Sequence, residues 1–151
     1  MHDAARPATI LLVEDNEDHA LLVKKALRGN RVVNKIRVLG TGEEALEYLF
    51  RRGAYADPAA SPRPGLILLD LKLPGISGIE VLKAVKQDAS LKLIPVVMLT
   101  TSGAEAEVLA SYNLGVNSYI QKPVDFGKFV ETVKGLQMYW LLMNTPPPQY
   151  A

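Results

Sequence analysis

Gly65-Leu66-Ile67-Leu68-Leu69-Asp70-Leu71-Lys72-Leu73-Pro74-Gly75 is the stretch on which the reading of this chain turns. A short apolar run bounded by Pro64 and Pro74 reads as a strand buried on both faces, the pattern of a parallel sheet. Asp70 then stands at the carboxyl end of that strand, where the chain enters a turn. In open α/β sheets that edge is where ligands bind. Alone, Asp70 reads equally well as a turn residue and as a functional carboxylate. The rest of the chain decides between them.

The same signature recurs on both sides. Thr9-Ile10-Leu11-Leu12-Val13 is a second buried-strand run and ends on Glu14 and Asp15. A third, at 95–99, ends on Thr100-Thr101-Ser102-Gly103, and a short one at 116–120 ends on Gln121-Lys122-Pro123. The stretch 31–39 is more polar and alternates in part, which predicts an edge strand. Helices fall between these runs. Asn16 is an N-cap candidate followed by Glu17 and Asp18, with Ala20, Leu21, Val23, Ala26 and Leu27 as a core stripe and Gly29 as the stop. Thr41-Gly42-Glu43-Glu44 and Ser77-Gly78-Ile79-Glu80 have capping-box spacing. The first leads into Ala45, Leu46, Leu49 and Phe50, the second into Ile79, Leu82 and Val85. A further helix is expected over 104–114, stopped by Gly115. The last starts near Asp125 and carries Phe126, Phe129, Val130, Val133, Leu136 and Trp140 on one face.

Composition bounds the function. The 151 residues are 48% hydrophobic and 22% charged, ordinary for one soluble globular domain. Lys+Arg 17 against Asp+Glu 16 leaves +1, so no basic field points to nucleic acid. Cysteine is absent, which removes disulfides, thiol chemistry and cysteine-ligated zinc. The polar start lacks a secretory h-region, and no apolar run approaches the length of about 18 residues needed to span a bilayer. A cytoplasmic protein with no membrane contact is expected. The expected layout is a flexible 1–7, one domain over 8–142 with a surface loop insertion at 53–64, and a Pro-rich tail at 143–151.

Five strands alternating with five helices predict a doubly wound five-stranded parallel sheet with right-handed crossovers. In a 2-1-3-4-5 order the ends of strands one, three, four and five converge beside the switch point. Glu14, Asp15, Asp70, Thr100 and Lys122 then meet. Each alone has a plainer reading as a cap, a helix-start charge or a solvated lysine. Their recurrence at matching strand ends argues against coincidence. Three close carboxylates repel one another and so call for a cation, and oxygen-only ligands favour Mg²⁺. A metal, a lysine and a hydroxyl together suit a phosphoryl group, and a carboxylate among them can be its acceptor.

Glu14-Asp15, Asp70 followed by Pro74-Gly75, Thr100 and Lys122-Pro123 together resemble the receiver domain of two-component response regulators, over about residues 8–136. The resemblance implies a flavodoxin-like (βα)5 fold of order 2-1-3-4-5, with Asp70 as phosphoacceptor. It implies Mg²⁺ (or Mn²⁺) held by Glu14, Asp15, Asp70 and the backbone carbonyl of Lys72. Thr100, Lys122 and Thr101 would contact the phosphoryl oxygens, Thr100 and Tyr119 would form the switch, and Lys122–Pro123 would be cis. Thr101 departs from the alanine or glycine frequent there, and Lys72 and Ser102 occupy positions that tune acyl-phosphate lifetime. The 53–64 loop and Tyr139-Trp140-Leu141-Leu142 look like the stand-alone regulators that partner bacterial phytochrome histidine kinases.

The implied activity is a phosphorylation switch, not an enzyme. Its phosphodonor is a sensor histidine kinase, since His2 lies in the flexible end and His19 reads as an ordinary surface residue. No effector domain is expected, so output would pass to a downstream protein or a homodimer through Tyr112, Tyr119, Trp140 and Leu141. A phosphate sink or phosphorelay intermediate is the main alternative. A phosphate-blind interaction module and an aspartyl-nucleophile phosphohydrolase are more remote. The hydrolase needs a carboxylate two residues after the nucleophile, where this chain has Lys72.

Overall fold

The computed structural model describes residues 9–28, 35–105 and 114–138. Five strands, β1 (Thr9–Val13), β2 (Lys35–Leu39), β3 (Pro64–Asp70), β4 (Val96–Thr100) and β5 (Ser118–Gln121), form one sheet. All four pairings are parallel and the order is β2-β1-β3-β4-β5. Four α-helices accompany them among the described residues: α1 (Glu17–Arg28), α2 (Gly42–Phe50), α3 (Gly78–Gln87) and α4 (Phe126–Gly135). A further helix is entered at 103–105 and leads out of the described residues. The fold is therefore the doubly wound flavodoxin-like one expected.

Side-chain alternation along the strands builds two cores. Ile10 and Leu12 of β1, Leu66 and Leu68 of β3, and Val97 and Leu99 of β4 face α1 and α4. Leu11, Val13, Ile67, Leu69, Val96 and Met98 face α2 and α3 instead. Every residue of β1 and β4 is buried because each strand is covered on both sides. β2 and β5 are the two edges, and both are only partly buried.

The caps form where the sequence places them. Asn16 Oδ1 accepts the His19 N–H at 3.0 Å, Thr41 Oγ1 the Glu44 N–H at 3.0 Å, Ser77 Oγ the Glu80 N–H at 3.3 Å, and Asp125 Oδ1 the Lys128 N–H at 2.8 Å. Three details differ from the expectation. Leu21 is 50% exposed, because the inward face of α1 is Ala20, Val23 and Leu27 and residue 21 sits about 100° away from it. In α3, Val81 is buried and Ile79 only half so.

The third difference is larger. α4 stops at Gly135, short of Leu136, which the sequence places on its buried face. Gln137 takes φ +58°, its N–H donates to Lys134 O at 3.0 Å, and the Met138 N–H donates to Val133 O at 2.7 Å. These are the paired bonds of a Schellman stop, with Met138 and Val133 buried in the same core. Among the described residues the expected helix thus ends before Leu136. Trp140, Leu141 and Tyr112 lie outside the described residues, as do 1–7, the 31–34 part of the edge strand and the tail at 143–151.

The 53–64 segment is more ordered than its composition suggests. It contains short 3₁₀ turns at Gly53–Tyr55 and Pro58–Ala60. Tyr55 packs edge-on against buried Tyr48 with 5.3 Å between ring centroids, and Arg37 stands over both rings. Tyr48 Oη donates to Pro62 O at 2.7 Å.

Candidate functional site

Parallel strands all deliver their carboxyl ends to one edge, so residues far apart in sequence meet there. Glu14 and Asp15 follow β1, Asp70 ends β3, Thr100 ends β4 and Lys122 follows β5. Oxygens of Glu14, Asp15 and Asp70 lie within 4.8 Å of one another. Glu14, Asp70 and Thr100 are buried, at 2%, 4% and 1% exposure, whereas Asp15 is open to solvent.

Lys122 reaches into this cluster. Its Nζ stands 2.8 Å from Glu14 Oε1 and 3.1 Å from Asp70 Oδ2. The Asn16 N–H donates to Glu14 Oε2 at 3.1 Å, and the Lys122 N–H donates to Thr100 O at 2.7 Å. The Lys122–Pro123 peptide is cis. Glu14 Oε1 is buried yet receives no well-angled hydrogen bond despite the nearby ammonium. A buried carboxylate oxygen with spare lone pairs, next to two further carboxylates, fits a hard divalent cation better than it fits any neutral ligand.

The electrostatics separate the carboxylates. Burial pushes Asp70 up to about 6; Lys122 opposes this and the Glu14 charge reinforces it. Burial also pushes Glu14 up, but the Lys122 ammonium and the Asn16 N–H bond outweigh it and hold Glu14 below its usual range. Lys122 is depressed by burial, yet its two carboxylates raise it overall, so it remains charged.

A pH dependence follows. Below about pH 4 Asp70 is protonated in folded and unfolded chains alike, and as pH rises the unfolded chain releases its proton first. Stability therefore falls until the folded carboxyl also ionises, above about pH 6. Metal-free protein is expected to gain about 1 kcal/mol on acidification from about pH 7 to about pH 5. Below the ordinary carboxylate range the loss of the Glu14 charge reverses the trend. Urea midpoints in chelator would show this, and saturating Mg²⁺, which favours the ionised carboxylate, should remove it. A flat profile in chelator would defeat the assignment.

Of the other residues named from the sequence, Thr101 directly follows β4 and Tyr119 lies within β5. The Thr101 N–H and hydroxyl both donate to Glu105 Oε1, each at 2.7 Å. Tyr119 is half-buried against the core shared with α2 and α3. Glu105 is a neighbour not singled out from the sequence. Its Oε2 lies 3.0 Å from Lys72 Nζ, and these contacts hold its carboxyl down at about 2, the Thr101 hydroxyl first among them. A signal was present: Ser102-Gly103-Ala104-Glu105 has capping-box spacing, and Ser102 Oγ does accept the Glu105 N–H at 3.3 Å. Beside the cluster, a cavity of about 290 Å³ is lined by His19, Leu22, Val23 and Pro123 together with Glu14 and Lys122.

A doubly wound sheet with three carboxylates and a lysine at its switch point, and no glycine-rich phosphate loop, defines a receiver-type signalling domain. The family comparison agrees. Residues 10–134 match the response regulator receiver domain, and the chain belongs to that family. It is 43% identical over 141 residues to the response regulator Rcp1 of Synechocystis sp., covering 93% of this chain and 94% of Rcp1. The Mn²⁺-bound form of Rcp1 superposes with a TM-score of 0.73 at 42% identity, covering 93% of this chain and 99% of that one. The bacteriophytochrome response regulator RtBRR gives a TM-score of 0.84 at 44% identity over 94% of this chain and 85% of that one. The phosphorylated cyanobacterial phytochrome response regulator RcpA gives 0.72 at 42% identity over 89% of this chain and 94% of that one. No helix among the described residues is long and apolar enough to cross a membrane.

Proposed function

We propose that this chain accepts a phosphoryl group on Asp70 from the phosphohistidine of a phytochrome-type sensor kinase. The observation that carries the reading is the buried Asp70 carboxylate at the end of β3, 3.1 Å from Lys122 Nζ and grouped with Glu14 and Asp15. Asp70 Oδ attacks phosphorus, the P–N bond breaks, and its electron pair returns to the imidazole nitrogen of the donor. Glu14, Asp15, Asp70 and the Lys72 carbonyl hold the divalent cation, Mg²⁺ or Mn²⁺. Bound there, it neutralises charge that develops on the transferring group. Lys122, Thr100 and Thr101 then contact the phosphoryl oxygens.

Rcp1 with Mn²⁺ and phosphorylated RcpA support both the metal and the modification by similarity. Thr100 drawn towards the phosphoryl group leaves room for Tyr119 to turn inward, which biases the surface around β5 and α4. The exposed Leu21 and Leu22 of α1 line cavities beside Glu14 and offer apolar surface for a kinase to contact. Output passes from there to a protein partner or a second copy.

Incubation with acetyl phosphate and Mg²⁺ is expected to add one phosphoryl group, seen by intact mass, alkali-labile and abolished by chelator. A phytochrome histidine kinase should transfer it faster than unrelated kinases do. Absence of any modification from either donor overturns the reading.

A further inference from the structure

Glu105 has no part in the transfer described above, yet it holds several of the polar groups around the site. Oε1 takes both the N–H and the hydroxyl of Thr101, and Oε2 pairs with the Lys72 ammonium. Thr101 follows Thr100 at the end of β4, and Lys72 comes two residues after Asp70 at the end of β3. One carboxylate, 17% exposed, therefore bridges the two loops that flank the acceptor. It satisfies an N–H, an O–H and a cation at once, the donor set that a phosphoryl group recruits.

We propose that the Glu105 carboxylate is a resident anion on the donors beside Asp70, which a phosphoryl group must displace before it can be fully bound. This rests on the reading of Asp70 as acceptor and Thr101 as a phosphoryl contact. A phosphoryl group carries about two negative charges and three acceptor oxygens. Thr101 cannot give its single N–H fully to Glu105 and to that group at once, and the two anions repel. Glu105 thus acts as a positioning residue that keeps the unphosphorylated loops closed and opposes the phosphorylated form. Phosphorylation releases it, and with it the start of the helix entered at 103–105.

The test uses beryllofluoride, a non-covalent phosphoryl analogue, with saturating Mg²⁺ on the full chain. Glu105→Gln keeps the shape and removes the charge. It is expected to bind beryllofluoride about tenfold more tightly, the scale of one charged hydrogen bond, while its thermal stability stays equal or falls. Glu105→Asp, which retracts the carboxylate by one methylene, should fall between the two. A purely structural bridge predicts weaker or unchanged binding in Glu105→Gln, and that result overturns the proposal while leaving the acceptor assignment intact. Failure of wild type and variant alike to bind overturns both. A second readout needs no variant: the Thr101 amide proton of the wild-type chain should move when beryllofluoride saturates, as it changes acceptor. A resonance that stays in place overturns the proposal.

Discussion

Asp70→Asn is expected to accept no phosphoryl group at all from acetyl phosphate or from a histidine kinase. The amide nitrogen has no lone pair free for attack at phosphorus, and the amide oxygen is a far weaker nucleophile than a carboxylate. The substitution also removes one of the three carboxylates that meet at the strand ends. The same variant should be more stable than the wild type in chelator at neutral pH. In the wild type a charge is kept buried, and that desolvation, reinforced by the Glu14 charge beside it, lifts Asp70 to about 6. The near-isosteric amide lifts that penalty and can donate to Glu14. About 1–3 kcal/mol is expected, read from urea midpoints at about pH 7. Loss of labelling with gain of stability separates removal of an acceptor from simple misfolding. Labelling that persists in Asp70→Asn places the acceptor elsewhere.

Gly78→Ala is expected to cost about 3 kcal/mol, although alanine is the better helix former by about 1 kcal/mol. Gly78 is the first residue of α3, and its N–H donates to Leu71 O at 3.1 Å. A methyl group there would collide with the Asp70 carbonyl oxygen and stand 3.0 Å from Leu71 Cα and O. These are backbone atoms, so no rotamer relieves the clash. Either α3 or the segment directly after Asp70 must shift. Phosphoryl uptake should therefore slow along with the loss of stability, since the Asp70 carboxylate depends on that segment for its aim. Gly135→Ala is the control, because its added methyl would meet nothing within 4 Å. A Gly78→Ala midpoint within error of Gly135→Ala would refute the crowding argument.

The two large effects come from different depths of reading. Asp70 was legible from the chain alone: a buried run, a strand end and matching runs at 9–13, 95–99 and 116–120 suffice. Helix starts were legible for the same reason, since Asn16, Thr41, Ser77 and Asp125 each accept an N–H three residues ahead. The stop of α4 was not. It depends on Gln137, a non-glycine residue at φ +58°, held there by burial of Met138 against the core. Local propensity gives no warning of a left-handed glutamine. The exposure of Leu21 likewise reflects which helical face the sheet covers, a choice made by the whole domain.

Glu105 marks the boundary most clearly. Its spacing from Ser102 announces a helix start, and the Ser102 half of that cap forms. The other half does not stay local: the carboxylate turns to Thr101 and crosses to Lys72, 33 residues away in the chain. Periodicity, caps and strand-end residues are properties of neighbours along the chain, so the sequence by itself determined the strands, the sheet class and the carboxylates at its edge. Which charges pair, how far Asp70 is pushed up and which donors are already taken depend on contacts between residues far apart in the chain, such as the 52 residues from Lys122 to Asp70. Those contacts exist only once the sheet has closed, and the tertiary structure alone decided them.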